Sequence, residues 1–531
     1  MKQLLFFVLF FVAGLPITKA QEAEPMAQVV ERGLSRARSQ SLLIAGTLKD
    51  EKDALPRTFE KGKLQTIRYD HWVSGFFPGL LWMLYEDSGN QQLREFAEMY
   101  TARVEPAKKL TNTHDLGFML YCSFGQGYRL TGNQHYLDVI SEGTKSLLTR
   151  WNEKLGVIKS WDWASRWQYP VIIDNMMNLE MLCFMTKQTG NPEYQRIAEK
   201  HAQTTMKNHF RPDFSTYHVV SYDTITGQPH AKNTAQGYSD SSSWSRGQAW
   251  GLYGYTMMYR ETKNPIYLKQ AQEIGRFLMN HPRLPEDKVP YWDYDAPDIP
   301  GAKRDASAAA IMASAFIELS QLDRSQMSSQ WLNLAEQQLR TLSSPAYLAE
   351  EGEQGGFIIK HGVGHYSAGT EVDVPLTYGD YYYVEALLRL KQLFGKPLPQ
   401  AAHTKWLNPL EQGENIVHGR WWNSELKDGF HRLTPRAEGK VRSAVWRLAR
   451  QSAGLSVCFH TNAPSVKVRY KVKGGLNMFH MPTTGVSGVD LYATDANGQQ
   501  RWCASKFNVS FKDTVNYEFK DLTYFTGEDR G

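Results

Sequence analysis

The sequence has few cysteines and no recognisable metal or nucleotide motif. Its 531 residues include four cysteines, Cys122, Cys183, Cys458 and Cys503, too few for a disulfide framework in a chain of this size. CxxC, HExxH and clustered histidine spacings are missing, so we expect no structural or catalytic zinc. A Walker loop and a Rossmann glycine fingerprint are also missing, and we predict no cofactor.

Excess charge and long apolar runs are scarce as well. The net charge is +5 and is spread along the chain, which argues against a nucleic-acid partner. After residue 20, no apolar run is long and uninterrupted enough for a transmembrane helix. Residues 1–20 combine Lys2, an apolar stretch at 4–15 and Thr18-Lys19-Ala20, the pattern of a secretory signal peptide. We therefore predict export across the inner membrane to the periplasm, without a membrane span.

Helical segments that are apolar on nearly every side recur about six times, and helices of this kind are buried all round. Four of them end in a turn with Gly or Asn just past the helix, and an amphipathic helix follows each turn. The apolar segments cover residues 72–85, 115–128, 170–185, 244–259, 305–319 and 380–390. This repeated unit predicts a closed ring of inner and outer helices, an (α/α)6 barrel.

Polar and aromatic residues open these inner segments. Because the inner helices of such a ring run parallel, we expect their N-termini to meet at one mouth. Paired carboxylates with Trp, Arg and Gln are typical of a sugar site, since flat aromatic faces stack on pyranose rings. The residues expected at the mouth are Trp72, His114, Asp115, Asp174, Gln236, Trp244, Arg246, Gln248, Trp250, Asp305 and Asp380.

These residues also have ordinary structural interpretations. An Asp before a helix is commonly an N-cap, which is an alternative for Asp174 and the favoured interpretation for Asp305 and Asp380. The three Trp residues would serve equally well in core packing. Arg246 would either bind an anion beside helix N-termini or form a structural salt bridge with a carboxylate of the ring.

A Gly/Pro stretch at residues 394–400 follows the last helical run, and the periodicity changes after it. The short, alternating, β-branched segments beyond predict a small all-β, sandwich-like module. Strands are expected at residues 455–460, 465–473, 486–493 and 514–519. The predicted organisation is a signal peptide at 1–20, a barrel at 21–393, a linker at 394–414 and an accessory module at 415–531. The module ends in a polar tail, and we expect it to be truncated.

Five motif groups recur along the barrel in a fixed order. They are Thr113-His114-Asp115-Leu116-Gly117-Phe118; Ile173-Asp174-Asn175-Met176-Met177; residues 236–240 with 244–250; residues 291–295; and residues 371–374 with 378–382. In this order they resemble the unsaturated glucuronyl hydrolases, glycoside hydrolase family 88. The related unsaturated rhamnogalacturonyl hydrolases of family 105 share the Asp-Asn-Met-Met element. They usually lack the His-Asp-Leu-Gly and Ser-Arg-Gly-Gln-Ala-Trp motifs found here.

The resemblance implies an (α/α)6 barrel with a general acid/base at Asp174 and a second carboxylate at Asp115. The implied substrate is the non-reducing Δ4,5-unsaturated glucuronate that polysaccharide lyases leave on oligosaccharides. Asp174 would protonate C4 of its enol ether, and water would add at C5. With the mouth residues included, the expected substrate-binding residues are Trp72, His114, His218, Gln236, Trp244, Arg246 and Trp250.

The C-terminal module resembles the accessory sandwich that precedes SGNH-type esterase domains. The likeness is carried by Gly419-Arg420-Trp421-Trp422, Thr461-Asn462-Ala463-Pro464 and residues 484–490. No GDS-type nucleophile motif is present, so we assign no esterase activity to this chain. A missing C-terminal esterase domain is the partner that this resemblance implies.

Three other functions stay open: an unsaturated rhamnogalacturonyl hydrolase, a toroidal sugar epimerase and a non-catalytic carbohydrate-binding protein. Toroidal epimerases depend on paired ring histidines, whereas this ring offers Asp115 and Asp174. A binding protein needs no such carboxylate pair. The source polysaccharide stays open too, and we expect residues 360–370, with one Lys and two His, to influence sulfate tolerance.

Overall fold

The chain divides into two compact units, Met1–Gly395 and Lys396–Gly531. The computed structural model describes residues 24–163, 165–395, 406–411, 416–421, 425–426, 428–459, 466–494, 500–503, 507–512 and 514–519. The predicted signal peptide, the polar C-terminal tail and much of the predicted linker lie outside these residues. In the described ranges, no helix is long and apolar enough to cross a membrane.

The helices of the first unit form two concentric layers. The inner layer consists of α2 (Phe76–Ser88), a π-helix (Gly117–Gly125) continued by α4 (Gln126–Thr131), a 3-10 helix (Ile173–Asn178) continued by α6 (Leu179–Thr189), α8 (Ser245–Thr262), α10 (Ala306–Leu322) and α12 (Thr377–Gly395). The outer layer consists of α1 (Met26–Leu48), α3 (Gln91–Val104), α5 (Gln134–Leu148), α7 (Pro192–Asn208), α9 (Pro265–Met279) and α11 (Ser328–Leu342).

The inner layer is a closed ring. Each inner segment contacts the next, and α12 contacts α2. In α10 nearly every residue is buried, as expected for a helix that is apolar on all sides. The first helix, α1, packs on the last, α12. The predicted (α/α)6 barrel is confirmed, and the six apolar segments of the sequence are its inner layer.

Four turns between inner and outer helices share one geometry. The residue after the inner helix is left-handed, and the Asn that follows caps the outer helix by accepting a backbone N–H two residues on. The left-handed residues are Gly89, Gly132, Gly190 and Lys263. Each predicted turn therefore contains two caps, one for each helix.

Short antiparallel strands connect the helices. They are β1 (Leu55–Glu60) with β2 (Lys63–Ile67), β3 (Trp151–Asn152) with β4 (Val157–Ile158), β5 (Pro170–Ile172), β6 (Val219–Tyr222) and β7 (Pro229–Asn233) in one sheet, and β8 (Gly362–His365) with β9 (Thr370–Val374). In the central sheet, Ile172 pairs with Val219, and the Ile173 N–H donates to the His218 carbonyl at 3.1 Å. This register places Asp174 beside His218.

The second unit contains small antiparallel sheets and short helices. Its strands are β10 (Val417–His418), β11 (Ser456–Val457), β12 (Val466–Tyr470), β13 (Tyr492–Thr494), β14 (Gln500–Trp502), β15 (Phe507–Ser510) and β16 (Val515–Phe519). Strands β12, β16 and β15 form one sheet. The short helices of the second unit are α13 (Ser443–Leu448) and α14 (Thr483–Ser487). The strand expected at 486–493 is wrong over most of its length. Pro482 precedes a helical turn there and its carbonyl accepts the Gly485 N–H, so the strand begins at Tyr492.

Candidate active site

Asp174 lies in the first turn of the inner segment Ile173–Asn178 and is 7% exposed. Its carboxylate does not cap that segment, whose N-cap position is Ile172 and has no side-chain cap. The cap interpretation is therefore wrong for Asp174, because the segment begins at Ile173 and Asp174 already lies inside its first turn. Asp174 Oδ1 lies 3.3 Å from His218 Nε2, and neither atom makes a hydrogen bond.

Backbone N–H groups that follow β7 determine the tautomer of His218. Its Nδ1 accepts the backbone N–H groups of Ala235 at 3.1 Å and Gln236 at 3.2 Å. A ring nitrogen that accepts hydrogen bonds carries no proton, so the proton of the neutral imidazole sits on Nε2. An N–H donor and a carboxylate acceptor are therefore both buried beside each other without partners. Native structures rarely leave such groups unsatisfied, and a ligand at the mouth would pair with both.

Asp115 is held more firmly than Asp174. Its Oδ2 accepts the Thr113 hydroxyl at 2.8 Å, and its Oδ1 lies 3.2 Å from His114 Nε2. Burial raises the pKa of Asp115, and the charge of Asp174 raises it further, while His114 and Thr113 oppose the shift. Burial and the neighbouring carboxylate together therefore favour the protonated form of Asp115.

Arg246 is a structural cation rather than an open anion site. It is 1% exposed, and its guanidinium donates to Asp305 at 3.0 Å, Gln236 at 2.7 Å and the Gly364 carbonyl at 2.6 Å. It also lies 4.6 Å from the Trp244 ring. The salt-bridge interpretation is confirmed for Arg246. Asp305 is the expected N-cap as well, because it accepts the N–H of Ser307, the second residue of α10, at 3.1 Å.

The three predicted Trp residues have different surroundings. Trp250 is 1% exposed and packs between Phe118 and Tyr382, which fits the core interpretation. Trp244 is 3% exposed, and its ring lies 4.4 Å from that of His218. Trp72 is partly exposed at the mouth, with one side against Phe118. Trp72 therefore retains surface for a ligand, whereas the Trp244 ring packs against the His218 ring.

Two further mouth residues hold the backbone. Asp380 is the fourth residue of α12 and accepts the N–H groups of Ile358 and Ile359, both at 2.9 Å. The cap interpretation is wrong for Asp380, because α12 begins three residues earlier, at Thr377. Gln248 accepts the Thr216 N–H at 2.8 Å and donates to the Thr216 carbonyl at 3.2 Å, so its amide is already paired.

Trp161 belongs to the site, although it is not among the residues expected at the mouth. Its ring lies 6.4 Å from His218, edge to face, and its buried Nε1 has no hydrogen-bond partner. The residue sits in a loop before β5 rather than at the start of an inner helix, so a search of helix N-termini passes over it. The signal in the sequence was the Trp-rich run at 161–167.

Similarity to known proteins decides the family. Over 327 residues the chain is 48% identical to an unsaturated glucuronyl hydrolase of Formosa agariphila, covering 61% of this chain and 81% of that protein. The chain belongs to the unsaturated glucuronyl hydrolase family. Within that family it is 34% identical over 324 residues to an unsaturated chondroitin disaccharide hydrolase of Streptococcus agalactiae, covering 60% of this chain and 81% of the relative.

A solved structure of an unsaturated glucuronyl hydrolase specific for heparin matches the fold with a TM-score of 0.66 and 44% identity. The match covers 68% of this chain and 98% of that one. A family model for the GxDLY region, the N-terminus of an SGNH-hydrolase-type esterase, matches residues 404–530, which confirms the resemblance of the second unit. A model for glycosyl hydrolase family 76, which is of the same toroid class, matches residues 112–288 within the barrel.

Proposed function

We propose that this member of the unsaturated glucuronyl hydrolase family removes the non-reducing Δ4,5-unsaturated glucuronate from lyase-generated oligosaccharides. Relatives that act on such sugars, and a neighbour specific for heparin, support this substrate class. The observation that carries the proposal is the buried carboxylate oxygen of Asp174, unpartnered and 3.3 Å from His218 Nε2. Asp115 Oδ2, by contrast, is occupied by Thr113.

In the proposed mechanism Asp174 is the general acid/base, and the reaction is hydration of an enol ether. Asp174 gives its proton to C4, the C4=C5 π electrons form the new C–H bond, and positive charge develops on C5 and the ring oxygen. Water attacks C5 and returns a proton to Asp174. The resulting hemiketal opens to a ketone at C5, and the hemiacetal left at C1 releases the aglycone alcohol.

His218 and Asp115 have supporting roles in this proposal. The neutral His218 presents Nε2–H beside the reacting carboxylate and orients Asp174 or the incoming water. Asp115, whose Oδ2 accepts the Thr113 hydroxyl and whose Oδ1 lies beside His114, supplies a second fixed carboxyl group at the mouth. The rule that relates carboxylate separation to retention or inversion does not apply, because the bond to C1 is not the first to break.

The test compares each lyase-generated unsaturated disaccharide with its saturated analogue. We expect loss of the ultraviolet absorbance of the conjugated double bond, and no measurable turnover of the saturated sugar. In D2O the product should carry one deuterium at C4. Comparable cleavage of both sugars, or a product without deuterium at C4, would contradict hydration and indicate ordinary acetal hydrolysis.

The location of the protein and its partner domain are also proposals. A secretory signal at residues 1–20 would export the enzyme to the periplasm. The GxDLY match supports an esterase domain as the natural neighbour of the second unit. Detection of the full-length protein in the periplasmic fraction, with Gln21 as its N-terminal residue, is the measurement for export.

A further inference from the structure

An aromatic pocket lies beside the candidate active site and takes no part in the mechanism above. It has a volume of about 460 Å³ and is lined by Trp163, Ser165, Arg166, Trp167 and Ala235. Trp163 is 71% exposed, an unusual environment for so large an apolar side chain. We propose that this pocket, on the assumption that the function proposed above is correct, is an accessory subsite for an aglycone sugar that carries an anionic group.

The pocket is built on a rigid base. Trp167 is 6% exposed, and its indole N–H donates to Asn233 at 3.2 Å. The Arg166 guanidinium lies 3.9 Å from the Trp167 ring and donates to the Thr234 carbonyl at 2.7 Å. Both contacts reach the end of β7, the strand that also supports His218. The orientation of the pocket walls is therefore coupled to the catalytic residues.

The pocket is continuous with the mouth through Trp161. The rings of Trp161 and Trp163 stack with centroids 5.1 Å apart, and Trp161 lies against His218 on its other side. Aromatic side chains thus connect the reacting carboxylate to the pocket. The exposed Trp163 offers surface to an aglycone ring when the unsaturated ring lies at Asp174.

The charge in the pocket selects the kind of sugar. Within the part of the chain that the structure describes, the hydrogen bond of Arg166 goes to a neutral carbonyl, so its positive charge is not neutralised by a carboxylate. Guanidinium groups bind carboxylate and sulfate through paired N–H groups. An aglycone sugar with either group would place its anion on Arg166 and its ring face on Trp163.

The experiment compares three unsaturated substrates: a disaccharide with a neutral aglycone, the same disaccharide sulfated on the aglycone, and a tetrasaccharide with an internal uronate. Arg166→Gln should lower kcat/KM for at least one anionic substrate by about tenfold or more, the usual loss for a hydrogen bond to a charged group. Trp163→Ala should lower it about 3–10-fold through lost stacking. In Arg166→Gln, turnover of the neutral disaccharide should stay within about twofold, since a surface substitution costs little. Trp163→Ala should weaken the neutral disaccharide as well, because stacking on a sugar ring does not depend on an anionic group.

Two controls separate a subsite from a merely structural loop. Arg276→Gln removes a partly exposed cation on the outer helix α9 and should leave all three substrates unaffected. Arg166→Lys keeps the charge and should retain part of the preference for the anionic substrate. A loss confined to the sulfated disaccharide identifies a sulfate as the bound group, and a loss confined to the tetrasaccharide identifies a carboxylate.

Equal losses on neutral and anionic substrates in Arg166→Gln would overturn the inference, because the loop would then only support His218. Unchanged kinetics in both pocket variants of an active enzyme would also overturn it and leave the proposed function intact. If the wild-type enzyme turned over no unsaturated uronide, the proposed function itself would fail, and this inference with it.

Discussion

At the scale of single residues, the decisive feature is a pair of buried atoms that have no partners. Asp174 Oδ1 and His218 Nε2 face each other at 3.3 Å without a hydrogen bond. The Ala235 and Gln236 N–H groups hold the other nitrogen of His218.

We predict that Asp174→Asn retains the fold and loses nearly all turnover. Asn is close in size to Asp, so the packing survives, but it cannot supply a proton to C4. General acid–base help is worth roughly 10²–10⁴-fold, and the loss should be at least that large. The measurement is the decay of ultraviolet absorbance on an unsaturated disaccharide, with the melting temperature checked alongside. Asp298→Asn is the matched control, because Asp298 is exposed. If Asp174→Asn were as active as the wild type, Asp174 would have no part in the mechanism.

A second residue-scale prediction concerns stability and Asp380. Burial raises the pKa of Asp380 from 3.8 to about 8, against the opposing effect of the Ile359 and Ile358 N–H groups. Between these values the folded protein holds a proton that the unfolded chain has lost, so stability falls as pH rises from about 4 to about 8. One proton corresponds to a slope of about 1.4 kcal/mol per pH unit.

Asp380→Asn should remove that contribution. The measurement is the free energy of unfolding from denaturant titrations at pH 5, 6.5 and 8, in the wild type and in the variant. The free energy of unfolding should fall less steeply with pH in the variant than in the wild type. The difference in slope should be close to that of one proton, about 1.4 kcal/mol per pH unit. Identical slopes would show that Asp380 is ionised in the folded protein.

At the scale of elements, close backbone approach determines how the inner helices pack. A Cβ built on Gly79 of α2 would lie 2.1 Å from the Cys122 carbonyl oxygen and 2.7 Å from the Tyr381 ring. The first of these atoms belongs to the backbone of the neighbouring π-helix and cannot move without shifting that helix. The glycine therefore sets the distance between two adjacent inner segments.

We predict that Gly79→Ala destabilises the barrel by about 1–3 kcal/mol or more, the usual range for overpacking. Gly46→Ala is the matched control, because Gly46 lies in α1 and its added Cβ would meet nothing within 4 Å. There Ala should stabilise the helix by up to about 1 kcal/mol. Thermal denaturation of both variants measures the difference, and a neutral Gly79→Ala would mean that α2 shifts freely against its neighbour.

At the scale of the whole molecule, the catalytic candidates lie in one of the two units. Asp115, Asp174 and the residues that contact them are all within Met1–Gly395. The second unit has its own small core, in which Val515, Tyr517 and Phe519 are buried. Chemistry and accessory structure are thus assigned to separate parts of the chain.

We predict that a chain of residues 21–400 keeps the activity of the full-length protein. The inner ring, with its contact from α12 to α2, is complete before residue 396. The expected cost of the truncation is in solubility or in docking to an esterase domain. Turnover and melting of the two chains are compared on one unsaturated disaccharide. A shorter chain that folds well and is inactive would show that the second unit takes part in catalysis.

The local pattern of the sequence was sufficient for the barrel. Residues 305–319 are apolar on every side, and such a helix is stable only when surrounded by others. The Gly-Asn turns at Gly89 and Gly190 depend on local backbone preferences, which need no distant partner. The five ordered motif groups, which include Thr113–Phe118 and Ile173–Met177, identified the family correctly, since such motifs are read from the chain alone.

The tertiary structure alone decided what each polar residue does. Asp174, Asp305 and Asp380 look alike in sequence, before or near the start of an inner helix. In the structure one has a carboxylate oxygen without a hydrogen bond, one caps a helix and one holds a loop. The residues beside them lie 44, 59 and 22 positions away in the chain, at His218, Arg246 and Ile358. Strand register and ring closure bring these residues together. The hydrophobic periodicity of a strand or a helix is a local property, so it carries no information about register or ring closure.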